Sequence, residues 1–159
     1  MSHLAVRTLI SDTLKSIDDS VLFAYSRASD FNSLGKREDK RVQLDPLKQS
    51  LEFTNGSYNL SKTYQVGMVF YRLDSLQGDE ETTASILDEM DVLSDKFINK
   101  LNFIFNEDTT TDISAQHSEL KSFKKESAIK VTADCLSGWI VSFSITVPDS
   151  FDYCSLYDN

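Results

Sequence analysis

Two histidines, two cysteines and 25 acidic residues are what this chain of 159 residues offers for chemistry. His3 falls near the start of a predicted helix and His117 in a predicted polar loop. Neither has a Cys, Asp or Glu at the spacing by which zinc ligands converge. The chain has no HExxH, GxSxG or GxxxxGK[ST] run, the patterns that place a zinc-bound water, an acyl-transfer nucleophile or a phosphate cradle. Its five glycines are scattered, and Gly67 falls inside a predicted strand, where glycine marks a bulge or close packing. Carboxylates are plentiful enough that an acid pair could be proposed anywhere; Asp88, Glu89, Asp91 and Asp95 lie off the apolar stripe of a predicted helix. Asp88–Asp91 and Asp91–Asp95 are like-charge neighbours at helical spacing, mildly destabilising unless the face has a use. One use is to line a channel through which DNA passes, where repulsion prevents sticking; the plainer reading is a solvated helix face. No catalytic constellation, cofactor or metal is expected.

The net charge of -9 argues against a groove that works by neutralising phosphates, and is equally that of an ordinary acidic soluble protein. An apolar fraction of 40% with 11% aromatics is globular, and the length suits one domain with a real core. Cys135 and Cys154 are too few for a disulfide framework; a bridge between them is conceivable but not expected in a reducing compartment. His3, Arg7, Asp12 and Lys15 interrupt the N-terminal apolar pattern, so no signal peptide is read there. No apolar run approaches the roughly 18 residues of a membrane helix, and no membrane partner is expected. The triplets at 55–57 and 59–61 resemble glycosylation sites without a secretory context, and read as loop chemistry. A cytosolic site of synthesis is expected.

The elements that would position these residues follow from periodicity. Val6, Ile10, Leu14 and Ile17 predict an amphipathic helix over residues 2–17. Residues 21–26 read as a strand with Val21, Phe23 and Tyr25 on one face. The mixed-charge run 36–41 reads as a solvated hairpin tip or, functionally, an arm that meets a partner. Residues 41–44 are extended before Pro46, at best an edge strand, and residues 49–53 continue it. Residues 64–73 form the most apolar strand, with Tyr64, Val66, Met68 and Phe70 on one face and Val69, Tyr71 and Leu73 on the other. Such a strand is covered twice, and the second cover can be another molecule. Gly78 and Asp79 open a long helix whose stripe is Ile86, Met90, Leu93, Phe97, Leu101 and Ile104. After a polar loop, Ile129, Val131, Ala133 and Cys135 predict an inward strand face, and Gly138 a turn. Trp139, Val141, Phe143, Ile145 and Val147 predict its hairpin partner, ending at Pro148. The expected class is α+β: an antiparallel sheet of four to five strands with two helices packed on one face. Residues 1–148 would form this single domain.

Residues 149–159 are an acidic, aromatic extension that holds Phe151, Tyr153, Leu156 and Tyr157 and no basic residue. Leaving such groups in water costs about 1.5–3 kcal/mol each, so the domain itself or a second subunit must cover them.

Three stretches, "YQVGMVFYRLD" feeding "SILDEMDVLSDKFINKLNFI" and the closing "GWIVSFSITVPDSFDYC", together with the element order, resemble the bacteriophage tail-terminator and tail-completion (neck ring) proteins over residues 4–154. The resemblance implies a virion structural protein, made in the host bacterial cytoplasm, whose copies form a ring, hexameric or dodecameric, at the neck or tail end. The ring would cap the tail tube and join it to the head connector, while DNA passes through the lumen without specific binding. Expected contact residues are Lys36, Arg37, Lys40 and Arg41 with Phe151, Tyr153, Leu156 and Tyr157; Asp88, Asp91 and Asp95 would face the lumen. The long tail beyond Pro148 and the weak strand near Pro46 depart from the family pattern. The alternatives are a head-side connector or stopper ring and, from another class, an α+β domain that closes over a small ligand.

Overall fold

The structure, a computed structural model, describes residues 2–25, 35–53, 60–106, 119–132 and 134–149. Helix α1 (His3–Ile17) starts where the Ser2 hydroxyl accepts the Ala5 N–H at 3.2 Å, which satisfies one of the orphan donors of a first turn. It buries Val6, Ile10 and Leu14 of the predicted stripe, with Ile17 partly buried beside them. Helix α2 (Glu80–Asn106) is capped by the Asp79 carboxylate, which accepts the Thr82 N–H at 2.8 Å. Glu80 and Glu81 lie in its first turn, where the helix dipole favours negative charge. Its buried side includes Ile86, Met90, Leu93, Phe97 and Leu101, as the spacing requires, but at its end Phe105 is buried and the predicted Ile104 only partly.

Among the described residues six strands make one mixed sheet: β1 (Leu22–Tyr25), β2 (Arg41–Leu44), β3 (Lys48–Phe53), β4 (Leu60–Leu73), β5 (Glu119–Val131) and β6 (Leu136–Asp149). The order is β1-β2-β4-β6-β5, with β3 also on β4. The expected antiparallel sheet of four to five strands is therefore corrected at one edge, where β1 and β2 run parallel. A parallel pair needs a crossover rather than a tight turn, and residues 26–40 supply its length.

β2 is not the edge strand that Pro46 suggested: it lies between β1 and β4, with Val42 and Leu44 fully buried. The ladder accommodates the proline by breaking at residues 45–47, so that β2 and β3 pair with successive stretches of β4. Pro148 likewise lies within β6, opposite Ser61. Among the described residues β5 pairs as far as Thr146, so Pro148 there has a β-strand neighbour on one side, β4, and can omit a donor on the other.

The predicted β5–β6 hairpin is present, but three of its details change. β5 begins ten residues before Ile129, and Ile129 and Val131 are 53% and 39% exposed, not inward. Two bulges, with Ser122 and Lys130 at φ 61° and 49°, shift its register and re-aim its side chains. Cys135 is buried in the connecting turn at φ 54° rather than in a strand. Gly138 lies inside β6, not in a turn. A Cβ there would stand 1.9 Å from the Phe70 carbonyl oxygen, so the sheet closes only around glycine.

Both helices bury their stripes on one face of the sheet. Val42, Leu44, Tyr64, Val66, Met68, Phe70, Val141, Phe143, Ile145 and Val147 meet them in one continuous core. Phe97 of α2 stands between Phe70 and Phe143, with ring centroids 5.6 and 6.3 Å away.

Candidate interaction surface

The opposite face of the sheet carries no helix among the described residues, and its cross-strand rows can be read from the register. Leu22, Arg41, Tyr71, Gly138 and Ala128 form one row; Ala24, Gln43, Val69, Ile140 and Glu126 form the next. Further along come Gly67, Ser142 and Lys124, then Lys48, Gln65, Ser144 and Lys121, then Ser50, Thr63, Thr146 and Glu119. The face thus grades from apolar at the end of β4 to hydroxyl-rich at its start. Thr63 and Thr146 hydrogen-bond each other across it at 3.1 Å.

The apolar end is partly closed. Tyr71, Ala128 and Leu136 form a second small cluster that Leu22, Ala24, Val69 and Leu73 flank. The run 35–40 folds over the first row: the Arg41 guanidinium donates to the Lys36 carbonyl at 2.8 Å and to the Asp39 carbonyl at 2.9 Å. Burial pushes the Tyr71 hydroxyl up to about 12; nearby Arg41 pulls it down and Asp134 raises it. The second row stays open, with Val69 half-buried and Ile140 41% exposed. The alternation that marked residues 64–73 as two-faced carried this signal.

Asp74 ties the same end together. It is 2% exposed, and its carboxylate accepts from Thr83 at 2.7 Å, Ser137 at 2.8 Å and the Ser75 N–H at 2.7 Å. Burial opposes its charge, yet these hydrogen bonds and the nearby Lys130 hold its carboxyl below the usual range. Ser137 is fully buried, so this cluster joins β4, α2 and β6 rather than meeting a substrate. Periodicity gave no signal for it.

The helix side carries a chain of charges. Lys40 lies 2.6 Å from Asp18 and 4.0 Å from Glu89, and Arg72 lies 2.5 Å from Glu89. A cleft of about 250 Å³ opens beside them, lined by Ile17, Asp18, Lys40, Glu89, Val92, Leu93 and Lys96. Hydrogen bonds from Lys40 and Ser20 lower the Asp18 carboxyl to about 2, against the opposing effect of burial. On the next stretch of α2, Lys125 of β5 reaches Asp91 at 2.5 Å and Asp95 at 2.6 Å, and lies 5.0 Å from the Trp139 ring. Trp139 donates to the Leu87 carbonyl at 2.9 Å.

The predicted contact residues are therefore distributed unequally. Lys36 and Arg37 are both exposed, though Arg37 also donates to the Asp74 carbonyl, and half-buried Lys40 pairs with Asp18. Arg41 departs from the expectation outright: it is wholly buried, because its guanidinium holds the 35–40 run onto the subunit. Asp88 is exposed, and Asp91 and Asp95 share Lys125, which relieves their mutual repulsion. Phe151, Tyr153, Leu156 and Tyr157 lie outside the described residues, as do His117 and Cys154. No group of three His, Cys, Asp or Glu residues suited to a metal occurs among the described residues, and no helix there is long and apolar enough to cross a membrane.

The sequence matches no protein-family model and no curated protein.

Proposed function

We propose that this protein is the subunit of a homo-oligomeric ring at the neck or tail end of a bacteriophage virion, where it caps the tail tube and joins it to the head connector. The role is structural, not catalytic. The observation that carries the reading is the half-open row Ala24–Gln43–Val69–Ile140 on a sheet whose other face both helices already cover. A lone subunit leaves that row in water, whereas a neighbouring copy removes it. In such a ring the acid-rich side of α2, with Asp88 exposed, would face the lumen and repel passing DNA. A head-side connector ring rests on the same surface and differs only in its neighbours.

The small-ligand alternative has less behind it. Phe70, Phe97 and Phe143, each 2% exposed or less, fill the space between α2 and the sheet where an apolar ligand would have to sit.

Light scattering on the purified protein tests the reading. A ring gives a concentration-dependent mass near six or twelve times 18.0 kDa, and negative-stain images show a central hole. A mass of 18.0 kDa at every concentration, together with no such ring in an assembled particle, overturns it.

A further inference from the structure

We infer that the half-open sheet row at Val69 and Ile140 receives the C-terminal segment, residues 150–159, of a second copy of the chain; this rests on the ring reading above. The segment holds Phe151, Tyr153, Leu156 and Tyr157, and its own subunit cannot bring them to that row. β6 ends at Asp149, nine residues beyond Ile140. At ~3.4 Å per residue the row therefore lies about 30 Å back along the strand. Tyr157 follows Asp149 by eight residues, a reach of at most about 28 Å before any chain reversal is allowed for. On this face the rows within reach of positions 151 and 153 carry Ser50, Thr63, Ser144 and Thr146 instead of apolar groups.

Chemistry points the same way. The extended backbone of the second copy's segment would lay aromatic side chains on Val69 and Ile140. Its acids, Asp152 and Asp158, would meet a face that carries Lys124 in the adjacent row and Lys48 in the one beyond, where Lys121 is already paired with Glu119. One acid, Glu126, sits in the receiving row itself, at its outer end.

The segment's own Cys154 supplies the test. It lies five residues past Asp149, so its reach of about 17 Å falls well short of position 140 of the same chain. The full chain carrying Ile140→Cys is oxidised at a concentration where light scattering shows assembly, then run on a non-reducing gel. Covalent dimers and larger multimers are expected, absent from the oxidised parent chain and lost when Cys154→Ser is added. Two outcomes overturn the inference while leaving the ring intact: no covalent multimer in an assembled sample, or multimers that persist with Cys154→Ser, meaning that the face meets itself. A parent chain that stays at 18.0 kDa throughout removes the ring reading and this inference together.

Discussion

Ser137 donates its hydroxyl proton to Asp74 at 2.8 Å, across 63 residues of sequence, and both side chains are sealed from water. The pair joins the first residues of β6 to the end of β4. Thr83, on the same carboxylate, adds the first turn of α2. Hydrogen bonds of this kind contribute modestly when made and cost more when one partner is removed.

Asp74→Ala is accordingly expected to destabilise the subunit by about 2–4 kcal/mol, because it leaves the Thr83 and Ser137 hydroxyls buried without their acceptor. Asp74→Asn keeps one carbonyl oxygen and should cost distinctly less. Urea unfolding of both variants checks the order; equal losses would mean that the retained amide oxygen cannot replace the carboxylate as acceptor of the Thr83 and Ser137 hydroxyls.

Acid should weaken the fold through Asp18. Its carboxyl is lowered from 3.8 to about 2, so its pairing with Lys40 stabilises the protein above pH 4 and is lost as pH falls through 2. Unfolding midpoints measured from pH 5 to pH 2 should fall, and Asp18→Asn should flatten the part of that fall between pH 4 and 2.

Alkali acts through two other groups. The carboxylates of Asp91 and Asp95 raise Lys125 above 10.5 despite its burial, so its contribution is complete below that value and disappears as pH rises through the folded pKa. Tyr71, pushed up to about 12, ionises first in the unfolded chain, and stability falls between pH 10 and 12. A denaturation series above pH 9 should show both effects, with Tyr71→Phe removing the second.

Gly138→Ala places a methyl group 1.9 Å from the Phe70 carbonyl oxygen and 2.7 Å from the Tyr71 Cα. Both obstacles are backbone, which cannot swing aside as a side chain can. A loss of at least about 3 kcal/mol is expected, which at about 2–4 °C per kcal/mol lowers Tm by roughly 6–12 °C. Calorimetry checks this, and an unchanged Tm would show that β4 and β6 separate at that point at little cost.

Ile140→Ser separates folding from assembly. Since 41% of Ile140 is already in contact with water, the change should cost the isolated subunit only about 1–2 kcal/mol. The midpoint concentration for self-association, read by light scattering, should rise by tenfold or more. Unchanged assembly would move the interface elsewhere.

Much of the fold was legible from spacing alone. The stripe of α2 and the alternation of β6 each determined a buried face, because a helix repeats every 3.6 residues and a strand every two whatever lies opposite. The two-faced character of residues 64–73 was legible for the same reason, and it marks the candidate surface. The Asp79 cap and the acids beside it likewise announced the start of α2.

Partnership was not legible. That β1 lies parallel to β2, and that β2 is interior, depends on where the chain returns after residues 26–40. The bulge at Lys130 turned Val131 to the face of Leu136, opposite to the one expected, since one extra residue changes which side the later side chains take. Arg41 sits in a charged run that alone reads as solvated; only the packed structure brings the Lys36 and Asp39 carbonyls around it and makes burial tolerable. Local sequence determined which side of each element avoids water, because that preference is a property of the side chains themselves. Tertiary structure decided which strands meet, in what register, and which row is left uncovered, because those outcomes are contacts between residues that the chain order keeps apart.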